Sequence, residues 1–260
     1  MKKYKCRKHH NKSGNISQPM NVNAIDESCE EAKNVFIRNI SHEIRTPMNA
    51  IMGFAQMLKH SGLNPQQVDY VDVILDSGNK LLSILENLLD LSNLQLGNVH
   101  VNAARCTLDS FFRRIWQAYE PAIIAKNLEP RLILPSNLPT VLVDCNKLQR
   151  VLDFVLSNAV KFTDQGYVSL KVEYSVREEG GYWVDIYVED SGCGIAEERM
   201  QHIFEAFEQG DKSLTRSYEG LGLGLGLSSR IVELLGGEIS VSSVPNKGSL
   251  FHIRVPVERA

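Results

Sequence analysis

The sequence predicts an α+β protein in two parts, a helical hairpin followed by an α/β sandwich. Three observations carry this. Apolar residues recur at helical spacing from about 26 to 59 and again from about 66 to 96. After Gly97 the pattern changes to shorter helical stretches mixed with Val-, Ile- and Tyr-rich runs that often alternate. Between the two, GNVHV at 97–101 follows the last leucine and marks the boundary. The expected divisions are 1–25, a basic N-terminal segment, 26–97, the hairpin, and 101–257, the sandwich.

The N-terminal stretch MKKYKCRKHHNKSGNISQP offers almost nothing to bury and is expected to lack fixed structure. It has no apolar core of a signal peptide. A basic cluster also suits the cytoplasmic flank of a membrane helix lying outside this chain, and both readings stay open. In the first helix Ile37, Ile44, Ile51 and Leu58 are seven apart, and Ile40, Pro47 and Phe54 form a second row offset by three. That is an a/d seam, which needs a partner helix. SGLNP (61–65) interrupts it. Val68, Val71, Leu75, Leu82, Leu85, Leu89 and Leu96 then stripe a second helix, giving an αα-hairpin. A lone hairpin leaves much of its seam in water. Two copies forming a four-helix bundle would cover it, so a homodimer is expected.

In the second part helices are expected at 107–125, 144–162 and 221–235. Strands are expected at 129–134, 166–176, 182–189, 237–243 and 249–257. Composition excludes several classes. Hydrophobic residues make up 43% and charged residues 23%, as in ordinary soluble globular proteins. The net charge of −3 gives no basic field for nucleic acid. No apolar run approaches the roughly 20 residues of a spanning helix, and a cytoplasmic location is expected. The five cysteines form no CxxC pair and are expected to be reduced thiols.

The stretch SHEIRTP (41–47) sets a histidine, a carboxylate and a helix-bending proline together. With Ile37 at position a, His42 falls at f, on the face turned away from the seam. Neutral imidazole is a nucleophile with a pKa near working pH. The Glu43 carboxylate beside it can hold one ring N–H and take that proton as the other nitrogen attacks. Pro47 removes the amide that would bond the Glu43 carbonyl, so the helix should bend beside His42. A lone surface histidine is ordinarily just solvated. The rival HExxH zinc motif fails because Thr46 stands at the second ligand position.

Three stretches of the second part suit ATP. In KLQRVLDFVLSNAVKFTDQG (147–166), Asn158 and Lys161 share a helix face. An amide oxygen can ligate Mg²⁺, and an ammonium can neutralise phosphate. In VEDSGCGI (188–195), Asp190 can accept a hydrogen bond from an exocyclic amine, and Gly192 and Gly194 let backbone approach a flat ring. A simple turn would look the same. In EGLGLGLGLSSRIVELLGG (219–237), Gly220, Gly222, Gly224 and Gly226 lead into an amphipathic helix, whose N-terminal amides suit phosphate. This is neither a Rossmann turn nor a Walker A loop. The polar segment 209–219 is expected to be a mobile lid from which Arg216 could reach phosphate. Lys212 there reads as a solvated charge.

Taken together these motifs resemble bacterial sensor histidine kinases of two-component systems. FIRNISHEIRTPMNAIMGFAQML is similar to the family's H box and LSNAVKFT to its N box. EDSGCGI is similar to its first glycine box, IFEAFEQ (203–209) to its F box and GLGLGL (220–225) to its second glycine box. They follow the family's order over about residues 30–257. The resemblance implies a dimeric helical hairpin and an ATP-binding sandwich of the type shared with gyrase, Hsp90 and MutL. It implies ATP and Mg²⁺ as cofactors and a response-regulator receiver as partner. By similarity His42 is the phosphoacceptor, Glu43 its base, and Thr46 a participant in the reverse, dephosphorylating reaction. Asn158 would hold Mg²⁺, Lys161 would touch phosphate and Asp190 would bind the adenine amine. Gly192, Gly194, Gly220, Gly222 and Gly224 would shape pocket and lid.

Four positions depart from the pattern. Phe154 stands where the family usually has a second asparagine near the metal. Cys193 replaces an aliphatic residue. Glu219 and Leu221 replace a glycine and a threonine of the lid turn. Two other functions remain alongside kinase activity. One is an ATP-gated interaction module or response-regulator phosphatase with feeble kinase activity. The other is an ATPase without a phosphoacceptor, which SHEIRTP argues against.

Overall fold

The computed structural model describes residues 4–5, 43–95, 99–177, 180–205 and 224–260. The chain divides into two compact units, one ending at Val99 and one running from His100 to Ala260 together with the first residues.

In the helical unit α1 is described over 43–59 and α2 spans Pro65–Gln95. The chain reverses through 60–64 because Ser61 and Asn64 cap the ends. Ser61 Oγ donates to the Leu58 carbonyl at 2.7 Å. Asn64 Oδ1 accepts from the Gln67 amide at 2.9 Å, and Gln67 Oε1 accepts from the Asn64 amide at 3.0 Å. This reciprocal box satisfies two amides at the helix start. Pro65 takes the first helical position, where its missing N–H costs nothing. Replacing Asn64 by alanine should destabilise the hairpin by about 1 kcal/mol, read as a lower midpoint in urea.

The hairpin packs through Met52 and Ala55 of α1 and Val71, Leu85 and Leu91 of α2, all buried. Gly78 gives the Met52 thioether its place against α2, since a Cβ there would make that side chain shift. The heptad seam lies elsewhere. Ile51, Phe54 and Leu58 are 50%, 68% and 51% exposed. So α1 carries two apolar stripes: Met48, Met52 and Ala55 at helical spacing face α2, and Ile51, Phe54 and Leu58 of the a/d row face out.

The second unit is built on a mixed sheet in the order β1-β7-β8-β6-β5-β3, extended by β4 on β8 and β2 on β4. The strands are β1 (Tyr4–Lys5), β2 (Ala104–Thr107), β3 (Glu129–Ile133), β4 (Thr140–Val143), β5 (Tyr167–Val176), β6 (Tyr182–Asp190), β7 (Glu238–Val244) and β8 (Gly248–Arg259). Among the described residues only the β3–β5 pair is parallel. The helices are α3 (Leu108–Ala125), α4 (Cys145–Phe162), the single-turn α5 (Glu197–Met200) and α6 (Gly224–Leu234). Alternation along the strands sends Val184, Ile186 and Val188 of β6 and Phe251, Ile253 and Val255 of β8 into the core. There they meet the buried stripe of α4, Leu148, Val151, Leu152, Val155, Leu156 and Ala159. Trp183, Asp185 and Tyr187 take the opposite face. Asp185 is buried there because His252 Nε2 bonds it at 2.7 Å and Arg254 Nε donates to it at 2.8 Å.

Two expectations change. Tyr4–Lys5, inside the segment expected to lack structure, pair antiparallel with β7. Backbone pairing asks for no apolar side chains, so composition did not reveal it. The reduced-thiol expectation fails for Cys106 and Cys145, which are joined as a disulfide with Cα atoms 6.7 Å apart. β2 and β4 are short strands that the pattern did not show. Their pairing carries Cys106 to the residue that opens α4. Cys193 is free and exposed.

Candidate nucleotide site

The C-terminal end of α4 and the loop after β6 fold onto each other. Asp144 caps the helix start by accepting from the Lys147 amide at 3.1 Å. At the other end Asn158 and Lys161, both half-buried, occupy the last turns. Lys126 reaches across from the end of α3 and donates from Nζ to the carbonyls of Val160 at 2.8 Å and of Lys161 and Thr163 at 3.2 Å. A cation on these carbonyls complements the negative end of the helix dipole. Motif reading missed Lys126. The only signal was a lysine just past a helix end.

Asp190 ends β6 and is 7% exposed. Its Oδ1 accepts from the Gly192 amide at 2.9 Å. Burial holds its carboxyl above the usual carboxylate range, opposed by hydrogen bonds from the Gly192 and Ser249 amides. Gly192 lies so close to the Phe162 carbonyl that a Cβ would collide with it, and the Cys193 amide donates to that same carbonyl at 3.3 Å. Bare glycine backbone is therefore what lets the Asp190 loop close on the end of α4. Gly194 has φ +66°, and a Cβ there would strike the Val244 carbonyl. The Ile195 amide next to it is held by Ser243 Oγ at 2.8 Å.

Gly248 was also missed. It has φ +101° and sits against the Asp190 carbonyl. It lies between the strands expected at 237–243 and 249–257, and nothing in that pattern points to a contact with the site. Gly224, the first residue of α6, rests against the ring of Phe154.

The structure thus brings Asn158, Lys161, Asp190, Gly192, Gly194 and Gly224 into one unit around α4, the β6 loop and α6. Glu43 and Thr46 are exposed on α1. His42, Arg216, Gly220 and Gly222 lie outside the described residues, as do Lys212, Glu219, Leu221 and the expected lid. Part of the F-box stretch also lies outside them, while 203–205 are described.

Comparison with known proteins places this geometry. Residues 143–259 match the family model of histidine kinase-, DNA gyrase B- and HSP90-like ATPases, and residues 32–97 match the His kinase A phospho-acceptor domain. The chain belongs to the two-component sensor histidine kinases. The sensor histidine kinase GacS of Pseudomonas protegens is 37% identical over 222 residues, 85% of this chain and 24% of that one. The signal transduction histidine-protein kinase BarA of Escherichia coli K12 is 33% identical over 227 residues, 87% and 25% respectively. This histidine kinase core therefore spans about a quarter of the length of those relatives. Among solved structures, full-length ShkA in complex with AMPPNP aligns with a TM-score of 0.73 at 32% identity, over 86% of this chain and 46% of that one. The hairpin and the mixed sheet with its helices are the fold of this family. The second unit is its ATP-binding domain.

Proposed function

We propose that this chain is the catalytic core of a sensor histidine kinase that transfers the γ-phosphoryl of ATP to His42 and then to an aspartate of a response-regulator receiver. The observation that carries the reading is the buried Asp190 carboxylate, held at a bare-glycine loop against the end of α4. A carboxylate in such a place accepts a hydrogen bond from the adenine amine, and the missing Cβ of Gly192 leaves backbone free beside a flat ring. Lys161, half-buried on the last turn of α4, would neutralise the phosphates, and Arg216 keeps the phosphate-reaching role that the sequence suggests for it. Gly220, Gly222 and Gly224 shape the approach to α6, and Gly194 fixes the turn of the adenine loop.

Asn158 fits a Mg²⁺ ligand. Asn158 is half-buried one turn before Lys161. Mg²⁺ ordinarily takes one or two protein oxygens together with phosphates. When bound, the ion neutralises charge developing on the transferred phosphoryl.

The neutral imidazole of His42 attacks the γ-phosphorus, the bond to the β-phosphate oxygen breaks, and Glu43 takes the ring proton. Positioning and charge neutralisation account for most of the rate. Thr46, exposed on α1 and four positions after His42 in the sequence, serves the reverse, dephosphorylating reaction. The exposed a/d row of α1 supports a homodimer through a four-helix bundle. Dependence on ATP assigns the reaction to the cytoplasm. Among the described residues no helix is long and apolar enough to cross a membrane.

Incubation with Mg²⁺ and γ-labelled ATP tests the reading. The expected result is acid-labile, alkali-stable label on the protein, absent from His42→Ala. Label that persists in the alanine variant overturns it. Phe154 favours a second reading, a nucleotide-gated module or phosphatase, because it offers no oxygen to the metal side. Nucleotide binding with no label in the wild type would select that reading.

A further inference from the structure

We infer that Phe154 is a positioning residue for the phosphate side of the nucleotide, acting by holding the first residue of α6 at a fixed distance from Asn158 and Lys161. The inference rests on the ATP-binding reading above.

Phe154, Asn158 and Lys161 stand at i, i+4 and i+7 on α4 and share one face. The phenyl ring is half-buried and fills the space beside Gly224. A Cβ on Gly224 would lie 2.8 Å from Phe154 Cδ1, 3.3 Å from Cε1 and 3.4 Å from Cγ. These are atoms at the root and side of a ring, not the tip of a flexible chain, so the ring cannot simply swing away. Gly224 is also tied into its own helix. Its carbonyl accepts from Ser228 Oγ at 2.8 Å, and Ser228 is fully buried. The start of α6 thus moves as one piece with its first turn, and the Phe154 ring is what it rests against. A phenyl group has no donor or acceptor, so its contribution here is steric. Removing the ring leaves the α6 start free to shift relative to the two polar side chains. Adding a methyl at Gly224 pushes it away.

The test is a double-mutant cycle on the full chain, read as affinity for ATP with Mg²⁺ and separately for adenosine. Gly224→Ala should weaken ATP binding about tenfold and Phe154→Ala about fivefold, within the range for residues in contact. The double variant should bind ATP more tightly than Gly224→Ala alone, because the methyl occupies the space vacated by the ring. Phe154→Leu, which keeps most of the bulk, should stay within about twofold of wild type. Adenosine affinity should be unchanged throughout, since its recognition rests on Asp190; general loss of packing would lower both affinities together.

A double variant at the product of the two single losses overturns the inference. So does a parallel loss of adenosine affinity. Wild-type protein that binds no ATP overturns the underlying reading instead, so the two failures are told apart.

Discussion

Asp190→Asn should yield a protein that melts at higher temperature than wild type in the absence of nucleotide and has lost about 100-fold in ATP affinity. The two effects share one cause. Asp190 is 7% exposed, and burial raises its carboxyl above the ordinary range despite the two amides that bond it. The folded state therefore holds its proton more tightly than the unfolded state does. Stability from this group is present in full below the unfolded pKa and is lost as pH rises through the folded one. At neutral pH the ionised carboxylate is a net liability, and a neutral amide of the same shape should stabilise the apo protein by about 1 kcal/mol. The gap in melting temperature between variant and wild type should narrow as pH falls toward the ordinary carboxylate range. ATP binding moves the other way. A charged acceptor facing an amine contributes about 1.5–3 kcal/mol, and asparagine surrenders the charge and one acceptor oxygen. Thermal melts from pH 4.5 to 8 with and without ATP check both halves. A variant less stable than wild type at pH 7, or one still shifted upward by ATP, contradicts the argument.

Much of this was legible in the residues, and the exceptions have physical reasons. The long periodic elements were read within a residue or two: α2 at Pro65–Gln95, α4 at Cys145–Phe162, β5 at Tyr167–Val176 and β6 at Tyr182–Asp190. Burying one face of a long element imposes a period on its sequence. β2 and β4, four residues each, are too short to show one. The Cys106–Cys145 pair was hidden for the same reason, since β2–β4 pairing alone brings a residue 39 positions away to the start of α4. In the site, Asp190, Gly192 and Gly194 announced themselves as a polar, glycine-rich break after a strand. Lys126, Ser243 and Gly248 did not, because their contacts run to backbone from remote elements. At Lys126 and Ser243 any residue with a donor could stand, and although Gly248 is required by its φ of +101° and its closeness to the Asp190 carbonyl, a lone glycine does not show which backbone it meets. The heptad in α1 was visible, but periodicity could not say whether it faced α2 or another molecule. The exposure of Phe54 and the burial of Met52 show that it does not face α2.

That division of α1 leads to the second large effect. Phe54→Asp should convert the proposed dimer to a monomer at micromolar concentration while leaving the helical content nearly unchanged. Phe54 is 68% exposed on the hairpin, and Ile51, Leu58, Tyr70 and Val73 are also at least half exposed. A contiguous apolar row of this kind marks a surface for another apolar surface to cover. In a symmetric pair every substitution counts twice. Loss of a buried aromatic side chain removes about 1.5–3 kcal/mol per copy, and a carboxylate left without a partner in the seam adds to it. The combined cost weakens association by at least about 10³-fold. Met52→Asp should behave differently. Met52 is 8% exposed against α2 and Gly78, so a charge there opens the hairpin itself and lowers the helical circular dichroism signal. Sedimentation velocity and circular dichroism on the two variants separate the stripes. If Phe54→Asp sediments as the wild type does, the outer row is not the dimer seam. If Met52→Asp keeps its helix signal and loses only its partner, the two stripes have been assigned the wrong way round.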